Sequence, residues 1–312
     1  MTAGLSRQAA ASIATSPRKP VPAPKSVLIM ANPTAGGYRQ KVLDKVRREL
    51  TASGFDVRLH LTSHAGEIGD VCADPSLRIG TLVIAGGDGS VNEAMTGLQA
   101  HPAPPALAVI PFGTANVLAH ELGLPRRAKA VARAIAAHQV RPLHAGRANG
   151  HPFVLMASAG FDAEVVHAMP LSLKRRFGKL AYVLIALKTG FPRQSPDLFV
   201  HLQDETLAGK LVVVTNGRYY GGPFSVCPEA CVCDPGLHLL VLEKDDPLSL
   251  MRFSAALLLG RVHKTRGVVA KTIQRARLTA AKPVAAQIDG DPFGTTPILV
   301  EAGGPTLDII VP

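Results

Sequence analysis

Three times in the first 116 residues an apolar run ends in a turn rich in glycine and small polar residues. Residues 26–31 lead into Asn32-Pro33-Thr34-Ala35-Gly36-Gly37 and a helical stretch to about Ala52. Residues 82–85 run into Gly86-Gly87-Asp88-Gly89-Ser90 and a helix from Val91, and residues 106–110 feed Pro111-Phe112-Gly113-Thr114-Ala115-Asn116. Continuous apolar runs of this length are strands buried on both faces of a parallel sheet. Gly54 closes the first helix and residues 55–61 alternate as a further strand. Strand, glycine-rich turn and helix in repetition predict an open, mostly parallel α/β sheet. Ligands are expected at its strand carboxyl ends.

The pattern changes near residue 145. Residues 153–157, 197–203, 210–215, 237–242, 268–273, 284–288, 297–300 and 307–311 read as short strands. Few helices intervene, chiefly at 172–189 and 247–260, which predicts a mostly antiparallel β-sandwich. The 312 residues are long enough for two cores. The expected division is a disordered leader over 1–25, a nucleotide-binding α/β domain over 26–145, and a β-rich domain over 146–312.

Composition excludes several classes. With 47% hydrophobic and 18% charged residues the chain is no disordered tail. It has no Trp and 4% aromatic residues, which supplies few stacking platforms, so nucleic acid is not an expected partner. The net charge of +11 is clustered: six Lys or Arg and no acid between Glu121 and Asp162, and eight and no acid between Asp246 and Asp289. Such stretches attract phosphates or anionic lipid headgroups, or form a solvated basic face. The four cysteines lack the paired C-x2-C spacing of a zinc site, and buried reduced thiols are expected. No apolar run reaches the ~18 residues of a spanning helix. A cytoplasmic protein, peripheral at the inner membrane face, is the expectation.

The three turns carry the chemistry. Each leaves backbone N–H groups and a helix amino terminus facing an anion, and three in one sheet make a polyphosphate cradle. The Walker A pattern and GxGxxG are both absent. Asp88, an acid between two glycines, would repel a bare anion, so Mg²⁺ belongs with the phosphates.

These turns resemble, in order and spacing, those of the diacylglycerol kinase catalytic-domain family, most closely its bacterial soluble lipid kinases. The likeness continues through Ser158-Ala159-Gly160-Phe161-Asp162-Ala163, Gly178-Lys179-Leu180-Ala181-Tyr182 and Ile288-Asp289-Gly290-Asp291. The resemblance implies ATP in an interdomain cleft. Asn32, Pro33, Thr34, Ala35, Gly36 and Thr62 would lie along the nucleotide. Gly86, Gly87, Asp88, Gly89, Ser90, Val91 and Asn92 would wrap the phosphates, with Thr114 nearby. Asp88 would hold the nucleotide Mg²⁺ directly or through water. Asp291 aligns with the general base, and Asp289 would orient it or assist the metal. A hydroxyl is a poor nucleophile at neutral pH, so in-line transfer needs such a carboxylate.

The chain departs from the family at three positions. Ser90 replaces Thr and keeps the hydroxyl. Asp291 replaces the commoner Glu, which shortens the base by one methylene. Pro235 stands where relatives carry the Asp of a structural Mg²⁺ site; Asp234 is the adjacent carboxylate, and an intact second site is not expected. The expected partners are a lipid with a free hydroxyl, an anionic membrane surface and, as an open case, a second copy of the chain. Residues 171–177, basic and apolar together, suit an interfacial surface. No residue distinguishes diacylglycerol, ceramide, a sphingoid base or phosphatidylglycerol as acceptor. A kinase of a soluble acceptor such as NAD, and a non-catalytic anionic-lipid binder, are the competing classes.

Overall fold

The computed structural model describes residues 25–167 and 196–312. Most of the expected leader, the helix expected over 172–189, the run 171–177 and the motif at 178–182 lie outside the described residues.

The first lobe runs β1 (Ser26–Ala31), α1 (Gln40–Ala52), β2 (Asp56–Leu61), α2 (Glu67–Ala73), β3 (Thr81–Gly86), α3 (Asp88–Leu98), β4 (Ala106–Pro111), α4 (Val117–Glu121), α5 (Ala128–Ala137) and β5 (Val140–His144). Strands β1 to β4 are parallel, in the order β2-β1-β3-β4. Alternation along β1 shows why the run had to be apolar throughout. Val27, Ile29 and Ala31 pack with Leu43, Val46 and Leu50 of α1 and Val131 and Ile135 of α5. Leu28 and Met30 pack with Ile68 of α2 and with Val91, Met95 and Leu98 of α3. Helices thus cover both faces.

The second lobe contains β6 (Gly146–Ala148), β7 (His151–Phe153), β8 (Met156–Gly160), α6 (Phe161–His167), β9 (Leu198–His201), β10 (Thr206–Gly209), β11 (Leu211–Thr215), β12 (Tyr219–Tyr220) and β13 (Phe224–Ser225). It continues with β14 (Leu237–Leu242), α7 (Pro247–Leu258), β15 (Val268–Ile273), β16 (Arg275–Ala280), β17 (Ala285–Ile288), β18 (Asp291–Thr295) and β19 (Ile298–Glu301). Two antiparallel sheets, β10-β9-β16-β19-β6-β7 and β15-β14-β11-β8-β17-β18, form the sandwich. Strand β14 shows the period of two: Leu237, Leu239 and Val241 enter the sandwich core, while Leu240 and Leu242 point outward under α7.

Two expectations change. The last strand, β20 (Thr306–Ile310), does not join the sandwich; it returns to the first sheet between β4 and β5. Leu307 and Ile309 pack on one face of that sheet and Ile310 on the other, and a short apolar run carries no sign of which sheet it will enter. The strand expected over 153–157 is two, β7 and β8, broken at Val154 and Leu155. Their N–H groups, with that of Met156, go to the Asp289 carboxylate instead.

All four cysteines are free, with Cys72, Cys227 and Cys233 buried; burial pushes the Cys72 thiol up to about 12. Among the described residues no helix is long and apolar enough to cross a membrane.

Candidate active site

The three glycine turns stack on one another at the carboxyl ends of β1, β3 and β4. Gly86 O accepts the N–H groups of Phe112 (2.9 Å) and Gly113 (3.1 Å), and Phe112 O accepts that of Gly37 (2.7 Å). Backbone lies against backbone: a Cβ on Gly113 would sit 2.5 Å from Gly87 Cα, and one on Gly87 would sit 3.0 Å from Gly113 Cα. These two glycines are therefore required by the contact between turns. A Cβ on Gly36 would come 3.1 Å from Thr114 Oγ1, which brings Thr114 under the first turn. Within that turn Asn32 Oδ1 accepts from Thr34 N (2.9 Å) and Thr34 Oγ1 (2.8 Å), folding Pro33 over the strand end; Ala35 N donates to Asn32 O. Thr62 is buried beside it, its N–H donated to Ala31 O at 2.9 Å.

Helix α3 starts inside this stack. Its cap is Gly87, which offers no side chain, so the first-turn N–H groups around Asp88, Gly89 and Ser90 lack a side-chain cap. The Asp88 carboxylate crosses to the next turn, Oδ2 accepting from Val117 N (2.9 Å) and Oδ1 from Leu118 N (3.1 Å). It caps α4 and ties the second turn to the third. Ser90 is buried, its Oγ against Gly86. Two residues expected along the phosphates are placed elsewhere. Val91 is a core residue under α3, its N–H donated to Gly87 O. Asn92 turns to the second lobe, where its Nδ2 donates to Pro152 O (3.0 Å) and Asp289 Oδ2 (2.7 Å).

The two acids of the late turn divide their work. Asp289, at φ 50°, points inward and accepts from Val154, Leu155 and Met156 N–H at 2.8, 2.8 and 2.9 Å besides Asn92. Burial raises its carboxyl to about 6 against the pull of these donors. At pH 7 it is therefore mainly ionised, which suits an acceptor surrounded by N–H groups. Each Asp289 oxygen thus accepts two donors: Oδ1 from Leu155 and Met156, Oδ2 from Val154 and Asn92. Asp291 is exposed at the start of β18, and its Oδ2 lies 2.9 Å from where a Cβ on Gly89 would be. The turn thus brings Asp291, carried by the second lobe, to the first turn of α3 in the first.

A polar chain supports this turn from behind. Gly290 N donates to Gln287 Oε1 (2.7 Å), Gln287 Nε2 to Ser158 Oγ (2.7 Å), and Ser158 Oγ to Asp162 Oδ2 (2.5 Å). Tyr220 Oη also donates to Asp162 Oδ2 (2.7 Å), and burial raises the Asp162 carboxyl above its ordinary value. Sequence reasoning gave these residues no role. The available signal was Gln287, a polar residue inside an otherwise apolar strand and two positions before Asp289. Glu93, raised by burial, accepts the N–H groups of Gly66 and Ile68 at the start of α2, with Asp291 among its charged neighbours. Asp234 lies exposed on a turn, its N–H donated to Cys231 O. Among the described residues no three metal-ligating His, Cys, Asp or Glu side chains converge.

Residues 26–148 match the model of the diacylglycerol kinase catalytic domain, and residues 156–311 that of the YegS C-terminal NAD kinase beta sandwich-like domain. The chain belongs to the diacylglycerol kinase catalytic-domain family. It is 28% identical over 282 residues to the diacylglycerol kinase of Bacillus subtilis (strain 168), covering 88% of this chain and 92% of that one. It is also 28% identical over 279 residues to "Probable lipid kinase YegS-like" of Klebsiella pneumoniae (strain 342), covering 86% and 90%. In fold it is similar to the crystal structure of a candidate diacylglycerol kinase from Bacillus anthracis str. Sterne, with a TM-score of 0.80 at 24% identity over 96% of this chain and 99% of the other. The fold is that of the family's kinases, an α/β lobe with a mostly parallel sheet joined to an antiparallel sandwich, and kinase membership implies ATP as the phosphoryl donor.

Proposed function

We propose that the protein is an ATP-dependent lipid kinase that phosphorylates a lipid hydroxyl at the cytoplasmic face of the membrane. The observation that carries this reading is the placement of Asp291 beside Gly89, where the turn from the second lobe meets the stacked glycine turns of the first. A polyphosphate would be taken at the amino terminus of α3, whose first-turn N–H groups have no side-chain cap and which Asp291 approaches at Gly89. Asn32, Thr34 and Thr114 would line the nucleotide.

Mg²⁺ would neutralise charge on the transferring phosphate, and it binds through few carboxylates because phosphate oxygens and waters complete its shell. Asp88 fits that need through water, since both its oxygens already accept from α4. Asp291 would take the proton of the acceptor hydroxyl as its oxygen attacks phosphorus. Asp289 holds that base in place through Val154, Leu155, Met156 and Asn92, the last of which joins it to α3.

The likeness to a relative named diacylglycerol kinase makes diacylglycerol the first acceptor to try. Incubating the protein with γ-labelled ATP and a total lipid extract should yield one labelled phospholipid, abolished by chelating Mg²⁺. Label transferred only to a soluble acceptor such as NAD would overturn the lipid reading.

A further inference from the structure

Helix α7 is apolar on two opposite sides. At 100° per residue, Leu250, Phe253, Ala256 and Leu257 share an arc that packs on the outer face of β11 and β14. The other arc carries Leu248, Met251, Leu258 and Leu259, exposed by 47%, 63%, 73% and 71%. These are four of the six large apolar side chains exposed among the described residues, gathered on one helix and its cap. A helix needs one apolar face to fold onto a sheet; the second has no partner in this chain among those residues.

Exposed cations gather beside this stripe. Arg252 borders it, and Arg261, Lys264 and Arg266 follow in the turn after Gly260, all exposed. No ion pair engages these four among the described residues. Farther along the same acid-free stretch, Lys271 pairs with Glu205 and Arg275 with Glu301. Of the eight cations in this stretch, Lys271 and Arg275 are paired among the described residues, and Arg252, Arg261, Lys264 and Arg266 gather beside the stripe. Acids stand at the other end of the helix: Asp246 caps α7, accepting from Leu248 N and Ser249 N at 3.1 Å each, and exposed Glu243 donates its N–H to Gly267 O.

From this pairing we infer that α7 and the turn after it form the surface that docks on an anionic bilayer, α7 lying flat with its outer arc at the acyl boundary and the four cations at the headgroups. The inference rests on the lipid-kinase reading above. An apolar stripe flanked by cations is the design of an interfacial helix. A second copy of this chain is the poorer occupant, because a two-fold contact would set cation against cation. Helix α7 also packs near Tyr220, a member of the polar chain behind the late turn. Beneath the helix Phe253 and Val262 line a small apolar cavity with Leu211, Leu240 and Tyr220, and Tyr220 Oη is the group that donates to Asp162.

The test uses the full chain and flotation with phosphatidylcholine vesicles, with and without phosphatidylglycerol, in the absence of ATP. Wild type should bind only the anionic vesicles, and less as salt is raised from 0.1 to 1 M, about a threefold shorter Debye length. Leu258→Gln with Leu259→Gln, and separately Arg261→Glu with Arg266→Glu, should each lower partitioning about tenfold or more. Both pairs are exposed, so unchanged melting temperatures are expected and would confirm folding. Both should still phosphorylate a short-chain, water-dispersed diacylglycerol. Wild-type partitioning by either folded variant would overturn the inference. So would a wild-type dimer that the leucine pair converts to monomer without loss of vesicle binding. Docking that behaves as expected while no lipid is ever phosphorylated would uphold this surface and sink the kinase reading instead.

Discussion

At the scale of single residues, the two acids of the late turn should respond differently to substitution. Asp289→Asn places an amide donor among the N–H groups of Val154, Leu155 and Met156. It should cost about 1–3 kcal/mol in urea unfolding, the usual penalty for unpaired buried donors. The pH dependence follows from burial. The folded carboxyl titrates near 6, above its ordinary 3.8, so the native state holds the proton more tightly. That contribution is complete below about pH 4 and is lost as pH rises through about 6. The wild-type stability advantage over Asp289→Asn should therefore shrink between those values; growth over the same range would refute the assignment. Gly89→Ala probes the partner acid. Its Cβ would meet Asp291 Oδ2 at 2.9 Å, and a side-chain end can swing away. Alanine also suits a helix better than glycine, by about 1 kcal/mol. The expected variant is as stable as wild type or more so, yet slower in kcat, and equal kcat would detach Asp291 from this contact.

Secondary-structure elements explain what was legible in the sequence and what was not. The three turns were legible because each joins an apolar run to a helix, and glycine at those joints has few other reasons to recur. Their mutual contact was not. Gly87 reads as room for a phosphate, whereas the structure sets it against Gly113, so Gly87→Val would disturb the turns before any nucleotide arrived. Gly113→Ala isolates that contact and should destabilise the first lobe by about 1–3 kcal/mol, the range for overpacking. A cost near zero in thermal unfolding would show that the turns can part. The chain from Asp162 through Ser158 and Gln287 to Gly290 was hidden for a similar reason: its members are 4, 129 and 3 residues apart at successive steps, and only strand pairing between β8 and β17 aligns them. Gln287→Leu removes the bond that Gln287 Oε1 accepts from the Gly290 N–H. It should lower kcat several-fold with KM for ATP unchanged, and an equal rise in that KM would mean the relay serves the nucleotide instead.

Across the whole molecule, two links join the lobes. Strand β20 carries the chain from the sandwich back into the first sheet beside β4, and Asn92 reaches from α3 to the Asp289 turn. Both links run between the lobes, so the site is assembled only when both have folded. The clustered charge was plain in the sequence as a total of +11, but its partition between paired and unpaired cations depends on which strands bring acids alongside.

The central claim is that Asp291, held by the second lobe, is the base that acts at the glycine stack of the first. Asp291→Asn is the direct test, with ATP affinity and phosphate transfer to a lipid hydroxyl measured on the same preparation. Affinity should stay near wild type while turnover falls by about 10²–10⁴-fold, the contribution expected of a positioned base. Turnover within a few-fold of wild type in a folded Asp291→Asn protein would contradict the account.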